Sequence, residues 1–274
     1  MRNWAQYRTP SDLHRGLGLV CLGVGEQRAR RGHAHGRILD CYAAVMVTQG
    51  AGQLFVDGQA QAVRVPAPAL FWLRPGVRHS YGPEESGWAE SWLLFEGSAA
   101  KAYEDLGFIP TGRPSFALQD PLPLMHVIRR LGLACRTDAG DADIQASALV
   151  HEFIVTAKAT AQSGPGQPTE EFLAAVRASA LEDMSVAARA QAAGLSVRQF
   201  RDAVQQAAGC SPTEFIQQVR VNRAKTLLVD TDAAVTEVAR HVGFGDPAYF
   251  TRVFRHRVGT SPRDFRREQR DFLG

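Results

Sequence analysis

The stretch from Val235 to Arg255 leaves the chain the fewest choices. Val235, Val238, Ala239 and Val242 recur at i, i+3, i+4 and i+7, the spacing of one apolar helix face. Gly243 follows, a residue able to take the left-handed conformation that ends a helix. Asp246 then reads as a side-chain cap, with Pro247 at the first position of a new helix. Phe250, Val253 and Phe254 supply the buried face of that helix and leave Ala248, Thr251, Arg252 and Arg255 on the other side. Two short helices about a glycine turn, the second polar and basic outside, describe a helix-turn-helix. The second helix of such a unit is the one that enters the DNA major groove.

A fainter copy lies upstream. Gly209-Cys210-Ser211-Pro212-Thr213-Glu214-Phe215 matches Gly259-Thr260-Ser261-Pro262-Arg263-Asp264-Phe265 at an offset of 50, and Phe200 and Val204 pair with Phe250 and Phe254. Before the second helix the offset is 49: Ala190 with Ala239, Gly194 with Gly243, Leu195 with Phe244. The second copy therefore carries one extra turn residue, Gly245, and Ser196 takes the capping role of Asp246. A repeat that keeps cap, turn glycine and core positions is a structural unit used twice. Between the copies, Pro212–Val229 is in helical register through Phe215, Ile216, Val219, Ala224, Leu227 and Leu228. At about 1.5 Å per residue it holds the units roughly 25 Å apart. That suits two successive major grooves on one DNA face, since a helical turn is about 34 Å.

Charge supports this by its distribution. The whole chain carries only +3, but residues 240–270 hold eight arginines against Asp246, Asp264 and Glu268, a local +5 and an electrostatic footprint for phosphate. The hydrophobic (45%) and charged (22%) fractions are those of a globular protein, and 274 residues suit two domains. Cys21, Cys41, Cys135 and Cys210 are scattered without a CxxC pair, so neither a zinc site nor a disulfide framework is suggested. Met1-Arg2-Asn3-Trp4 opens no signal peptide and no run of about 18 apolar residues occurs, so a cytoplasmic location is expected.

Residues 17–96 read differently. Leu17–Val24, Tyr42–Val47, Gln53–Val56, Ala69–Leu73 and Ser91–Phe95 are apolar runs of strand length, separated by turn signals such as Gln49-Gly50-Ala51-Gly52 and Asp57-Gly58. Short strands at this spacing, with no helix between them, predict a sandwich or barrel. His33, His35 and the turn Pro75-Gly76-Val77-Arg78-His79 outline a cupin, a small jelly roll in which such residues can hold one metal, with Asp40 near the carboxylate position. The histidines can equally be turn and surface residues, or line a ligand pocket. Trp72, Tyr81, Trp88 and Trp92 cluster nearby, and on a strand Glu90 and Trp92 share a face. A carboxylate beside an aromatic plate suits a sugar or polyol, and core tryptophans with a solvent-facing Glu90 would explain the same residues.

Two amphipathic helices are expected next. Leu122, Met125, Val127, Ile128, Leu131 and Leu133 mark one, and the second runs from about Asp141 to Thr160 through Ile144, Ala148, Leu149, Phe153, Ile154 and Ala157. They can cap the barrel or pair with a second subunit. Gln162-Ser163-Gly164-Pro165-Gly166-Gln167-Pro168 then has linker composition.

Taken with the linking helix Val219-Arg220-Val221-Asn222-Arg223-Ala224-Lys225-Thr226-Leu227-Leu228, the second helix-turn-helix and its Gly-Thr-Ser-Pro sequel resemble the signature of the AraC/XylS family of bacterial transcription regulators. The N-terminal half, through Arg37, Gly50-Ala51-Gly52, Pro75-Gly76, His79, Tyr81 and Trp88–Phe95, is similar to its arabinose-type sensor domain. The resemblance implies an α+β multidomain protein, not an enzyme and without cofactor. Residues 1–118 would form a cupin-like ligand-sensing β-barrel, 119–162 a helical dimerisation element, 163–169 a linker, and 170–274 a tandem helix-turn-helix domain. It implies a homodimer that binds double-stranded DNA and a small effector, a sugar or polyol, with RNA polymerase as a further partner. By position, the effector would meet His35, Tyr81, Glu90 and Trp92. Arg198 and Arg201 would face bases in the first unit, and Ala248, Thr251 and Arg252 in the second, with Arg255 beside them. A metal-dependent cupin using His33, His35 and His79 is the alternative, and a regulator with a vestigial pocket is another. One departure stands out: Asp202 occupies a position usually basic, and Val204-Gln205 replaces an aromatic-basic pair, so the first unit is expected to bind more weakly or with altered specificity.

Overall fold

The computed structural model describes residues 3–29, 34–59, 61–112, 115–137, 140–161 and 170–273. The chain divides into two compact units, Met1–Gln162 and Ser163–Gly274. The expected linker, 163–169, and His33 lie outside the described residues.

The first unit runs β1 (Trp4–Tyr7), α1 (Asp12–Arg15), β2 (Val20–Ala29), β3 (Ala34–Arg37), β4 (Tyr42–Val56), β5 (Val63–Pro66), β6 (Ala69–Leu73), β7 (His79–Glu96), α2 (Ala100–Asp105), β8 (Ser115–Ala117), α3 (Leu122–Ala134) and α4 (Ala142–Thr160). The eight strands form one antiparallel sheet in the order β1-β2-β7-β4-β6-β8, with β3 on β7 and β5 on β4. Among the described residues this order ends at β1 and β8, so the closed barrel expected from the sequence is corrected to an open sheet.

The reason is that several expected short strands are segments of two long ones. Tyr42–Val47 and Gln53–Val56 merge into the 15-residue β4, and Ser91–Phe95 ends the 18-residue β7. The expected turn Gln49–Gly52 is instead a bulged stretch, with register shifts at Val47/Gln49 and Gly50/Gly52. Gly52 serves close approach there: a Cβ on it would stand 2.2 Å from the Gly82 carbonyl oxygen and 2.5 Å from the Trp88 ring. A glycine inside a strand marks such a site as readily as it marks a turn.

The period-2 alternation of β4, β6 and β7 separates two cores. Ala44, Met46, Leu70, Trp72, Leu93 and Phe95 face α3 and α4, where Leu124, Val127, Ile128, Leu131, Leu149, Val150, Phe153 and Ile154 are buried against them. Ala43, Val45, Val47, Phe71 and Trp88 lie on the other face with Leu54 and Val65. The helical pair therefore caps the sheet. It also leaves Leu122 and Leu133 (each 66% exposed), Ile144 (50%) and Val155 (48%) in solvent, so Leu122, Leu133 and Ile144, which mark the helices by their spacing, lie outside this core.

The second unit is helical: α5 (Glu170–Ala178), a 3-10 turn (Ser179–Leu181), α6 (Val186–Ala192), α7 (Val197–Ala208), α8 (Pro212–Asp230), α9 (Val235–His241), α10 (Pro247–Val258) and α11 (Pro262–Leu273). The repeat recurs in three dimensions. Ala190 and Ala239, Phe200 and Phe250, and Val204 and Phe254 are all buried. Gly194 (φ 68°) and Gly243 (φ 85°) take left-handed backbone, and the next amides, Leu195 and Phe244, each donate to the carbonyl five residues back at 2.9 Å. Ser196 caps α7 in a reciprocal box with Gln199, whereas Asp246 caps α10 by accepting from the Ala248 amide at 2.8 Å. Each copy keeps its own core. Leu173, Val176, Phe200, Val204 and Phe215 form the first, and Val221, Ala224, Leu228, Val238, Phe250 and Phe254 the second.

Candidate nucleic-acid interface and effector site

With Phe200 and Val204 turned inward, α7 exposes Arg198, Arg201, Asp202 and Gln205. Arg198 Nε lies 3.9 Å from Asp202 Oδ2, one helical turn on. Asp202 therefore offsets one of the two arginines expected to meet DNA. On α10 the exposed residues include Ala248, Tyr249, Arg252, Arg255 and His256. Arg252 lies over the Tyr249 ring, 5.9 Å from its centroid, and the Tyr249 hydroxyl accepts from Gln217 Nε2 at 2.8 Å. Thr251 is half-buried and its hydroxyl donates to the Pro247 carbonyl at 2.9 Å, which leaves its methyl and acceptor lone pairs for any partner.

The arginine-rich segment divides into two jobs. Arg266 donates to the Leu228 and Ala233 carbonyls at 2.9 and 2.6 Å, and Arg270 donates to the Val229 and Thr231 carbonyls and pairs with Asp232 at 2.6 Å. Both tie α11 to the C-terminal end of α8, where helix carbonyls lack intrahelical partners. Arg257 donates to Gln217 Oε1 at 2.9 Å and Arg267 pairs with Asp264 at 2.9 Å. Arg240, Arg252, Arg255 and Arg263 are the exposed remainder.

In the first unit, Tyr81, Glu90 and Trp92 share the face of β7 that turns away from α3 and α4. Glu90 is 3% exposed; Gln27 Nε2 donates to its Oε1, and its buried Oε2 has no hydrogen-bond partner. Burial raises its pKa, against the Gln27 hydrogen bond. Tyr81 packs on Phe71, His79 and Trp88, and burial, with Glu90 adding a smaller effect, pushes its hydroxyl up to about 12. Trp92 sits 5.6 Å from the Tyr7 ring and crosses β2 so closely that a Cβ on Gly25 would lie 2.6 Å from its Cζ2. His35 is exposed on β3, in the irregular stretch between Ala34, which pairs with Tyr81, and Arg37, which pairs with His79. Trp72, expected in the same aromatic group, points to the opposite face against Phe95 and Phe153. A cavity of about 140 Å³ opens where Glu26, Gln27, Glu90, Ser91, Pro121 and Met125 meet. Of the four expected effector residues, Glu90 is on its wall.

His79 is buried, its Nδ1 3.0 Å from the Val77 carbonyl oxygen, and burial lowers its pKa. Asp40 is exposed. Among the described residues no three His, Cys, Asp or Glu side chains group so as to hold a metal ion.

The profile of the AraC-like ligand binding domain matches residues 18–154, and that of a helix-turn-helix domain matches residues 189–268. The chain belongs to the AraC/XylS family of transcription regulators. Among curated relatives, the HTH-type transcriptional activator RhaS of Escherichia coli O157:H7 (strain EC4115) is 35% identical over 79 residues, 29% of this chain and 28% of its own. RhaS of Salmonella arizonae is 35% identical over 85 residues, 31% of each chain. The AraC-family chain thus spans less than a third of the length of the curated relatives it matches. Among solved structures, the DNA-binding domain of AdpA, in complex with a target DNA, is 30% identical over 38% of this chain and 95% of that one, with a TM-score of 0.36. No described helix of this AraC-family chain is long and apolar enough to cross a membrane.

Gln27 carries no motif in the sequence and reaches Glu90 only through the β2/β7 register. Glu26 carries none either; its Oε2 accepts from Trp4 Nε1 at 3.0 Å and its Oε1 is buried without a partner. Glu26 opens the polar Glu26-Gln27-Arg28 end of β2, so residue type alone gave it no distinguishing signal.

Proposed function

We propose that this chain is a sequence-specific DNA-binding transcription regulator controlled by a small molecule bound in its first unit. The observation that carries the DNA-binding half is the paired helix-turn-helix, whose second helices bury Phe200 or Phe250 and expose Arg198 and Arg201, or Arg252 and Arg255. Arginines donate to phosphates for affinity and to guanine edges for specificity. Selection from a random-sequence duplex pool by the full chain tests this: one enriched motif, bound by the purified protein, is the expected result. A pool that stays unenriched overturns the reading.

For the effector we propose a sugar or polyol at the Glu90 side of the sheet. Support comes from the buried Glu90 carboxyl with its vacant acceptor oxygen, the Gln27 amide beside it, and the rings of Tyr81 and Trp92 on the same face. Hydroxyl groups would satisfy the vacant oxygen and sugar C–H bonds would meet apolar surface. A thermal-shift panel tests it, since a ligand at 100 times its Kd adds about 2.7 kcal/mol. Control over DNA requires the ligand to favour one of two arrangements of the chain.

The working form is proposed to be a homodimer. Leu122, Leu133, Ile144 and Val155 on the outer faces of α3 and α4 support a helix-to-helix contact with a second copy.

A further inference from the structure

Two arginines outside the recognition helices hold one short length of backbone. Arg189, on α6 of the first repeat, is 3% exposed. Its guanidinium donates to the Ser179 carbonyl, to Ser179 Oγ at 2.7 Å and to the Glu182 carbonyl at 2.8 Å. Arg220, on α8, donates to the Ala180 carbonyl at 2.7 Å and to the same Glu182 carbonyl at 2.8 Å. The Arg220 guanidinium also lies over the Phe244 ring, 5.4 Å from its centroid. Gly243 backs onto the same place: a Cβ there would stand 2.4 Å from the Leu181 carbonyl oxygen and 3.0 Å from the Arg220 guanidinium carbon. Residues 179–182 thus meet the first helix of one repeat, the turn of the other, and the helix that joins them.

The two repeats have separate cores, and this segment with α8 spans both. Leu173 and Val176 of α5 belong to the first core and Leu181 packs on the second. On α8, Phe215 belongs to the first and Val221, Ala224 and Leu228 to the second. With α8 as the sole link, the angle between the repeats would follow the bending and twisting of one helix. A second strut removes that freedom, provided something holds it at both ends.

The chemistry of the clamp fits positioning better than bulk stability. Every hydrogen-bond partner of the two guanidinium groups is a carbonyl or a hydroxyl, and burial pulls the pKa of both down. Well-packed apolar residues commonly stabilise a core as well as buried charges do. What a guanidinium adds is a rigid fork of donors whose directions are fixed.

We propose that Arg189 and Arg220 are positioning residues, which clamp the backbone of 179–182 and so set the spacing and orientation of α7 and α10. Only the use of that spacing on DNA rests on the proposed DNA-binding function; the geometry itself is read without DNA. Spin-labelled non-natural residues at exposed Gln206 on α7 and His256 on α10 of the full chain report the distance between the helices. The unsubstituted clamp should give one narrow distance distribution. Arg189→Met and Arg220→Gln should each broaden or shift it beyond that width, and Arg220→Lys, which keeps the charge but not the fork, should restore it only in part. On a duplex taken from the random pool, the broadened variants should lose less affinity than the parent when one base pair is inserted between half-sites. Folded variants with the parental distribution overturn the proposal. Failure of both Arg189→Met and Arg220→Gln to fold also overturns it, because the pair would then be required for folding rather than for spacing. An altered distribution in a protein that enriches no duplex leaves the clamp standing and removes the DNA-binding function.

Discussion

Arg252 occupies the middle of the exposed side of α10, with its guanidinium over Tyr249 rather than locked in an ion pair. Arg252→Ala should weaken binding to a selected duplex by about 1–3 kcal/mol, read by fluorescence anisotropy. Unchanged affinity would remove α10 from the interface. The first repeat should respond in the opposite sense at Asp202. Its carboxylate draws on Arg198 at 3.9 Å and repels phosphate, so Asp202→Asn should tighten binding by a few-fold, less so at high salt. Glu90 is a test of the other unit. Burial raises its pKa in the folded state, so over that range the folded chain holds more protons than the unfolded one. Stability should then fall as pH rises from the ordinary glutamate range through the raised value. Glu90→Gln removes the titration, and melting curves from about pH 4 to about pH 8 should be flatter for the variant, with the variant the more stable at the upper end.

At the scale of elements, the two turn glycines separate local rules from tertiary ones. Gly194 has left-handed backbone and open space around its missing Cβ, whereas Gly243 has the same backbone and a carbonyl oxygen 2.4 Å from that position. Gly194→Ala should cost about 1–2 kcal/mol for the left-handed conformation, and Gly243→Ala distinctly more, by chemical denaturation. The sequence made the two positions equivalent because capping and turn chemistry act within a few residues. For the same reason the helices of the second unit, their caps and their buried Phe250 and Phe254 were legible. The sheet was less so. Gly50 and Gly52 read as a turn because nothing local tells a bulge from a reversal; the difference is made by Gly82 and Trp88, some thirty residues on. Leu133 and Ile144 read only as members of an apolar helix face, because spacing does not say which neighbour covers it, and both stand in solvent. In the proposed effector site, Glu90 could be picked out by type, but its hydrogen bond from Gln27 depends on the pairing of β2 with β7.

For the whole molecule, the exposed apolar residues on α3 and α4 give the proposed dimer its test. Leu133→Glu should leave the fold intact, since the side chain is 66% exposed, and should convert a dimer to a monomer in sedimentation velocity. A species of unchanged size would place any subunit contact elsewhere. The arrangement of arginines in the second unit carries a consequence for ions. A count of charge along 240–270 suggests a dense phosphate-binding surface. Arg266 and Arg270, however, are spent on the end of α8, and Arg257 and Arg267 have partners within the protein. Each phosphate neutralised on B-DNA releases close to one condensed counterion, with a slope of about −0.9 per contact in log affinity against log salt. The second helix-turn-helix, through Arg240, Arg252, Arg255 and Arg263, should thus contribute a slope no steeper than roughly −4, about half what its arginine count alone would give.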